Sequence, residues 1–238
     1  MRFFSLEMTL GVIGGMGTEA TSYFFEELAN HTKVSKDQDH IDTVILNHAS
    51  LPDRTEAILS KKTDKLLELL IKDVKTLEKL GVKNIAIPCN TSHYLYDDLQ
   101  KETSIPIIHM IRESVEAATI QFDNVKKIGI MATNGTFRTG VYHKEIEALG
   151  LTPVVPSEEQ QADVMSLIYD DIKSGKPGDF AKYERAYHDL MAAGSDVIIL
   201  ACTELSVFKK KHRIHDNCLD ALDILVKESI ERSNAVYQ

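Results

Sequence analysis

At 238 residues, with 43% hydrophobic and 26% charged side chains, the chain is long enough for one large α/β domain or two of about 100–120 residues each. Its formal net charge of -9 opposes nucleic acid and anionic membranes, so an anionic ligand needs cations placed locally. No apolar run approaches the ~20 residues of a membrane-spanning helix, and Phe3-Phe4-Ser5-Leu6 is cut off by Glu7, too short for a signal-peptide core. A cytoplasmic protein is expected, with no nucleic-acid or membrane partner.

Residues 1–7 precede a second methionine, Met8, and read either as a frayed extension ahead of the first strand or as a product of start-site choice. From there, short runs rich in Val and Ile alternate with segments of helical period, the pattern of βα units around a parallel sheet. The expected strands are 10–14, 43–47, 84–88, 107–109, 127–132, 153–155, 196–201 and 217–220. Helices are expected over 19–32, 63–80, 92–101, 111–121, 139–149, 159–174, 180–193, 204–211 and 222–232. The clearest is 63–80, where Leu66, Leu67, Leu70, Val74, Leu77 and Leu80 form one stripe and Gly81 is the stop signal.

The chain also repeats itself. Gly11 through Thr21 aligns without a gap on Gly129 through Thr139, each reading as strand, glycine turn and helix. Gly81 through Thr91 aligns in the same way on Gly194 through Glu204, and each copy ends a buried strand with a cysteine, Cys89 or Cys202. Two similar α/β domains with parallel sheets, related by pseudo-two-fold symmetry, are therefore expected, with the site in the cleft between them. The first domain is drawn as residues 1–111 plus 213–238, the C-terminal strand and helix returning to it, and the second as 112–212.

Cys89, Cys202 and Cys218 form no Cys-x-x-Cys pair, so neither a disulfide framework nor a zinc site is indicated. Cys218 reads as a packed residue. Cys89 and Cys202 stand where ligands bind in open parallel sheets, beyond the carboxyl ends of strands. Helix-capping residues follow each, Asn90-Thr91-Ser92 and Thr203-Glu204, and a helix N-terminus favours thiolate. Two thiols flanking one small ligand are the minimum apparatus for inverting a stereocentre, since a single base returns the proton to the face it came from. Hydrogen bonds to a carboxylate and an amine are expected from Asn90, Thr91, Thr133, Thr136 and Thr203. Arg54, in a loop after the second strand, is the leading cation for an anionic ligand, with an ordinary solvated loop arginine as the alternative. Glu204 is placed to position or polarise Cys202. His48, His93 and His109 read as histidines with structural partners, and Lys209-Lys210-Lys211-His212-Arg213 as a solvated helix end. Gly14-Gly15-Met16-Gly17 lacks the dinucleotide spacing and reads as a turn allowing close backbone approach to a small ligand.

The motifs Gly14-Gly15-Met16-Gly17 with Glu19-Ala20-Thr21, Pro52-Asp53-Arg54-Thr55, Cys89-Asn90-Thr91-Ser92-His93, Thr133-Asn134-Gly135-Thr136 and Cys202-Thr203-Glu204-Leu205 resemble those of the aspartate/glutamate racemase superfamily, most closely its aspartate branch. The resemblance runs almost end to end. It implies the two-domain fold, catalysis without pyridoxal phosphate, metal or other cofactor, a homodimer, and Cys89 and Cys202 as paired acid/base residues. It also implies Lys173 as a second carboxylate reader, Asn134 and Gly135 as further substrate-binding positions, and Gly15 and Met16 as supporting ones. Glu204 stands where glutamate racemases typically carry histidine, and Thr18 where many relatives have proline. The expected activity is racemisation of aspartate. Its alternatives are racemisation of glutamate or of many amino acids, another cysteine-dependent isomerisation such as that of maleate, and binding of an amino acid without catalysis.

Overall fold

The computed structural model describes residues 8–238; residues 1–7, read above as an extension, lie outside the described residues. The first half runs β1 (Leu10–Gly14), α1 (Thr18–His31), β2 (Thr43–Asn47), α2 (Arg54–Leu59), α3 (Asp64–Lys79), β3 (Asn84–Ala86), α4 (Tyr96–Lys101) and α5 (Met110–Gln121). The remainder runs β4 (Lys127–Met131), α6 (Asn134–Thr139), α7 (Val141–Ala148), β5 (Thr152–Val154), α8 (Glu158–Ser166), α9 (Phe180–Ala192), β6 (Val197–Leu200), α10 (Thr203–Lys211), β7 (Cys218–Asp220) and α11 (Ala221–Arg232). No helix among the described residues is long and apolar enough to cross a membrane.

The strands form two parallel sheets, one in the order β2-β1-β3 and one in the order β5-β4-β6-β7. A parallel bridge between Ile85 and Ile107 continues the first sheet beyond β3, so both sheets follow one winding, second strand, first, third, fourth. In that order the chain changes direction between the first and third strands, β1 and β3 in one sheet and β4 and β6 in the other. There the connecting loops diverge to opposite faces and leave a crevice beyond the strand ends.

The strand at 217–220 was expected in the first domain. It lies instead on the outer edge of the second sheet, with Ile198 opposite Cys218 and Leu200 opposite Asp220. The repeated winding explains this, because β6 needs a fourth-strand neighbour just as β3 takes Ile107. Helix α11 follows and packs against α1, α5, α10 and β3.

Helix α3 buries Leu66, Leu70, Val74 and Leu77 against the first sheet, while Leu80 caps the helix and is exposed. The expected helix 92–101 opens as a 3₁₀ turn over Thr91–Leu95, and 139–149 divides at Gly140, whose φ of 67° is the left-handed region. The expected helix 159–174 changes pitch after Ser166, into a wide π turn over Leu167–Asp171 and then a 3₁₀ turn over Ile172–Ser174. One hydrocarbon core joins Leu10, Val12, Phe24 and Leu28 of the first half to Ile128, Ile130, Ile198, Leu200 and Leu222. A second core lies between α3 and the other face of the first sheet.

Candidate active site

β3 and β6 are the equivalent third strands of the two sheets. Each points its carboxyl end into the crevice, β3 leading through Ile87 and Pro88 to Cys89 and β6 through Ala201 to Cys202. Both cysteines line one narrow cleft, with Met16, Asp53, Arg54, Thr55, Asn90, Thr91, Thr133, Tyr169, Lys173, Thr203 and Glu204. Both are nearly enclosed, Cys89 at 5% and Cys202 at 6% exposure.

Ten of the residues expected in the site therefore meet here. Four do not line the cleft. Gly15 holds a left-handed φ of 89° and packs against the backbone of His48 and Ala49, where a side chain has no room. Asn134 is exposed and accepts a hydrogen bond from Gln161 at 2.8 Å. Gly135 is pressed against Thr55 and Thr91, and a β-carbon there would stand 2.9 Å from the Thr55 backbone. Thr136 is buried behind the wall, its hydroxyl 3.0 Å from that of Thr91 and 3.2 Å from that of Thr133. With the 3.2 Å contact between Thr91 and Thr133, these hydroxyls form a triangle that joins the first half to the second.

Asp53, Thr55 and Tyr169 complete the lining; the first two stood in the Pro52-Asp53-Arg54-Thr55 motif without a role of their own, and Tyr169 was not singled out. Asp53 caps α2 by accepting from the Glu56 N–H at 2.9 Å, so Arg54 begins a helix and is buried, where a loop position was expected. The Arg54 guanidinium donates to the Pro52 carbonyl at 3.1 Å. From the other half, the turn at 167–174 brings in Tyr169 and Lys173. The Tyr169 hydroxyl donates to Asp53 at 3.3 Å, and the Lys173 ammonium lies 4.4 Å above the Tyr169 ring. That ammonium stands 3.9 Å from carboxylate oxygens of both Asp53 and Glu204. Burial works against its charge, but Glu204, Cys202 and Tyr169 outweigh burial and raise the Lys173 pKa.

Cys202 is the N-cap of α10, and its thiol donates to Glu204 Oε2 at 3.0 Å. Thiolate was expected at this helix start. Burial first, and the Glu204 carboxylate second, push the Cys202 thiol well above its usual value instead, against the opposing pull of Lys173 and the Glu204 N–H. Cys89 is held from behind. His93 Nδ1 donates to the Cys89 carbonyl at 2.9 Å and Nε2 accepts from the Met110 N–H at 3.2 Å, a pair of bonds that requires the neutral ring; burial lowers the His93 pKa in agreement. His48 pairs with Asp73 at 2.8 Å, and His109 caps α5 by accepting from the Arg112 N–H at 3.1 Å. All three histidines thus have structural partners.

Asn90 accepts at Oδ1 from the Tyr142 hydroxyl, while its Nδ2 is buried without a partner. Cys218 lies far along the second sheet's outer edge, 3.4 Å from the Tyr183 hydroxyl, where burial pushes its thiol up to about 11. Among the described residues no group of three or more His, Cys, Asp or Glu side chains is arranged to hold a metal ion. The cleft thus offers two thiols from opposite halves, two cations, two carboxylates and a set of hydroxyl and amide donors. That inventory suits a small zwitterion and proton transfer.

A family model described as Asp/Glu/hydantoin racemase matches residues 13–229. The chain is 25% identical over 225 residues to the broad specificity amino-acid racemase RacX of Bacillus subtilis (strain 168), covering 93% of this chain and 96% of that protein. It is 26% identical over 166 residues to a glutamate racemase of Persephonella marina, covering 68% of this chain and 62% of the relative. Among solved structures, the aspartate racemase of Picrophilus torridus superposes with a TM-score of 0.79 at 26% identity, covering 97% of this chain and 96% of that one.

Proposed function

The chain belongs to the Asp/Glu/hydantoin racemase family and is an isomerase by that membership, and from this premise we propose that it interconverts L- and D-aspartate by a 1,1-proton transfer at Cα, with Cys89 and Cys202 as the acid/base pair. The observation that carries the reading is the meeting of these two thiols, from equivalent strand ends of the two halves, in one small cleft.

Burial and Glu204 hold the Cys202 thiol above its usual value, which makes it the proton donor in one direction of reaction, with Cys89 as the base. The Cys89 sulfur takes the Cα proton, and the C–H electron pair passes into the α-carboxylate as an enediolate. Cys202 then delivers its S–H proton to the opposite face. The total proton count is unchanged, and the negative charge has moved from Cys89 to Cys202, beside the Lys173 ammonium and the Glu204 N–H. The reverse reaction starts from that state. Exclusion of water and preorganised donors make so weak a carbon acid reactive. The Asn90 amide and the hydroxyls of Thr91, Thr133 and Thr203 hold the α-carboxylate and the ammonium group, and Arg54 and Lys173 hold the side-chain carboxylate. The reading includes a homodimer acting in the cytoplasm.

Racemisation of a broader set of amino acids is favoured by one observation. Asp53 and Glu204 each stand 3.9 Å from the Lys173 ammonium, so that cation is already neutralised and reads a second substrate carboxylate less strongly. The relative in Bacillus subtilis, described as broad in specificity, points the same way.

Deuterium incorporation at Cα in deuterated solvent, followed on L- and D-aspartate with chiral separation, tests the proposal. Wild type exchanges the hydrogen and inverts the centre, whereas Cys89→Ala and Cys202→Ala lose inversion and retain at most one-sided exchange. Full racemisation by either variant refutes the two-thiol assignment, and tight binding without exchange identifies a binding protein. A panel of L-glutamate, L-alanine and L-lysine in the same assay separates aspartate specificity from breadth.

A further inference from the structure

Asn90 directly follows Cys89 and is 2% exposed at the wall of the cleft. Its Oδ1 accepts a hydrogen bond of 2.5 Å from the Tyr142 hydroxyl, and its Nδ2 is buried with no partner in the protein. Buried amide donors are seldom left unpaired, so this one has the character of a group reserved for a ligand. Tyr142 reaches Asn90 from the opposite half. It lies in the first turn of α7 and is 1% exposed. Burial pushes its hydroxyl far above the usual tyrosine range, so it stays protonated and keeps its role as donor.

A primary amide carries its acceptor and its donor on opposite branches of one planar carbon. Whatever fixes the oxygen also fixes the nitrogen. With the amide reversed, a carbonyl oxygen would face the cleft and repel a carboxylate.

The geometry points to Tyr142 as a positioning residue: by donating to Asn90 Oδ1 it turns Nδ2 toward the cleft, where Nδ2 binds the α-carboxylate of the substrate. This rests on the reading of the cleft as an amino-acid site and adds a requirement to it. The carboxylate-binding amide sits in one half and the group that orients it in the other, so this subsite is complete only while the two halves are docked.

Tyr142→Phe removes one oxygen and leaves the ring packed. With L-aspartate as probe, Tyr142→Phe and Asn90→Ala each raise KM about tenfold, equivalent to about 1.4 kcal/mol, with kcat changed less than about threefold. The double variant is no worse than Asn90→Ala alone, because the hydroxyl has no effect on binding once the amide is gone. A lowered Tm with KM unchanged makes Tyr142 a packing residue and overturns the inference, as do losses that multiply in the double variant. If wild type binds L-aspartate calorimetrically without exchanging its Cα hydrogen, the racemase reading falls, and equal, non-additive losses of affinity in the two variants still support the positioning role. Wild type that neither binds nor exchanges L-aspartate overturns both.

Discussion

Replacing Asp220 with asparagine separates the charge of a buried acid from its hydrogen bonds. Asp220 ends β7, accepts from the Leu222 N–H at 2.9 Å and from the Ser206 hydroxyl at 2.7 Å, and lies 3.4 Å from the Lys209 ammonium. It therefore ties α10, whose N-cap is Cys202, to α11. Burial and then the neighbouring Asp223 carboxylate push its pKa up to about 7, against the pull of Lys209 and Ser206. An acid whose native pKa lies above the unfolded value of about 3.9 binds more protons when folded. Stability from this group is therefore greatest below that unfolded value and is lost as pH rises toward 7, with a slope of up to about 1.4 kcal/mol per pH unit. Asparagine keeps an oxygen for Ser206 and Leu222 and leaves Lys209 with Asp223, without the titration. Relative to wild type, Asp220→Asn thus gains on the order of 2 kcal/mol between about pH 5 and 7 and then levels off. Urea unfolding of both proteins at four pH values from 5 to 8 measures the difference directly. A difference independent of pH refutes the argument, since it would mean that Asp220 carries the same charge in the folded and unfolded chain.

Glu204→Gln removes a carboxylate that both accepts from the Cys202 thiol and opposes its ionisation, so Cys202 forms thiolate at lower pH than in wild type. Peptide-resolved alkylation by iodoacetamide across pH reads this as an earlier onset at Cys202, and an unchanged onset counts against the role given to Glu204. Gly135→Ala places a methyl group 2.9 Å from the Thr55 backbone and 3.1 Å from the Thr91 side chain, which forces α2 and α6 apart. Overpacking of this kind costs about 1–3 kcal/mol. Because α2 carries Arg54, racemisation falls along with the unfolding midpoint, and a variant as stable and active as wild type contradicts the packing described.

The two thiols were legible because a rare residue recurs at matched strand ends, and strand ends of open sheets are where ligands bind. Helix α3 was legible from its period alone. Helix α2 went unread although Asp53-Arg54-Thr55-Glu56 carries the pattern of a capped helix start, an acceptor followed three residues later by Glu; at six residues it has too few turns to show a period. Strand β7 has three residues, and which sheet accepts so short a strand depends on a free edge elsewhere in the fold. Tyr169 could not be placed because a regular helix over 159–174 points it differently from the π turn that occurs. The protonation of Cys202 was misjudged for a related reason. A helix N-terminus is visible in the sequence, whereas the 3.0 Å approach of Glu204 depends on how the first turn of α10 folds back.

The shared interior makes the two halves inseparable in handling. The repeated pattern suggests a cut at the midpoint, yet Leu10, Val12, Phe24 and Leu28 share one core with the hydrocarbon around β4 and β6. Either half expressed alone would expose to water hydrocarbon that the other half now covers.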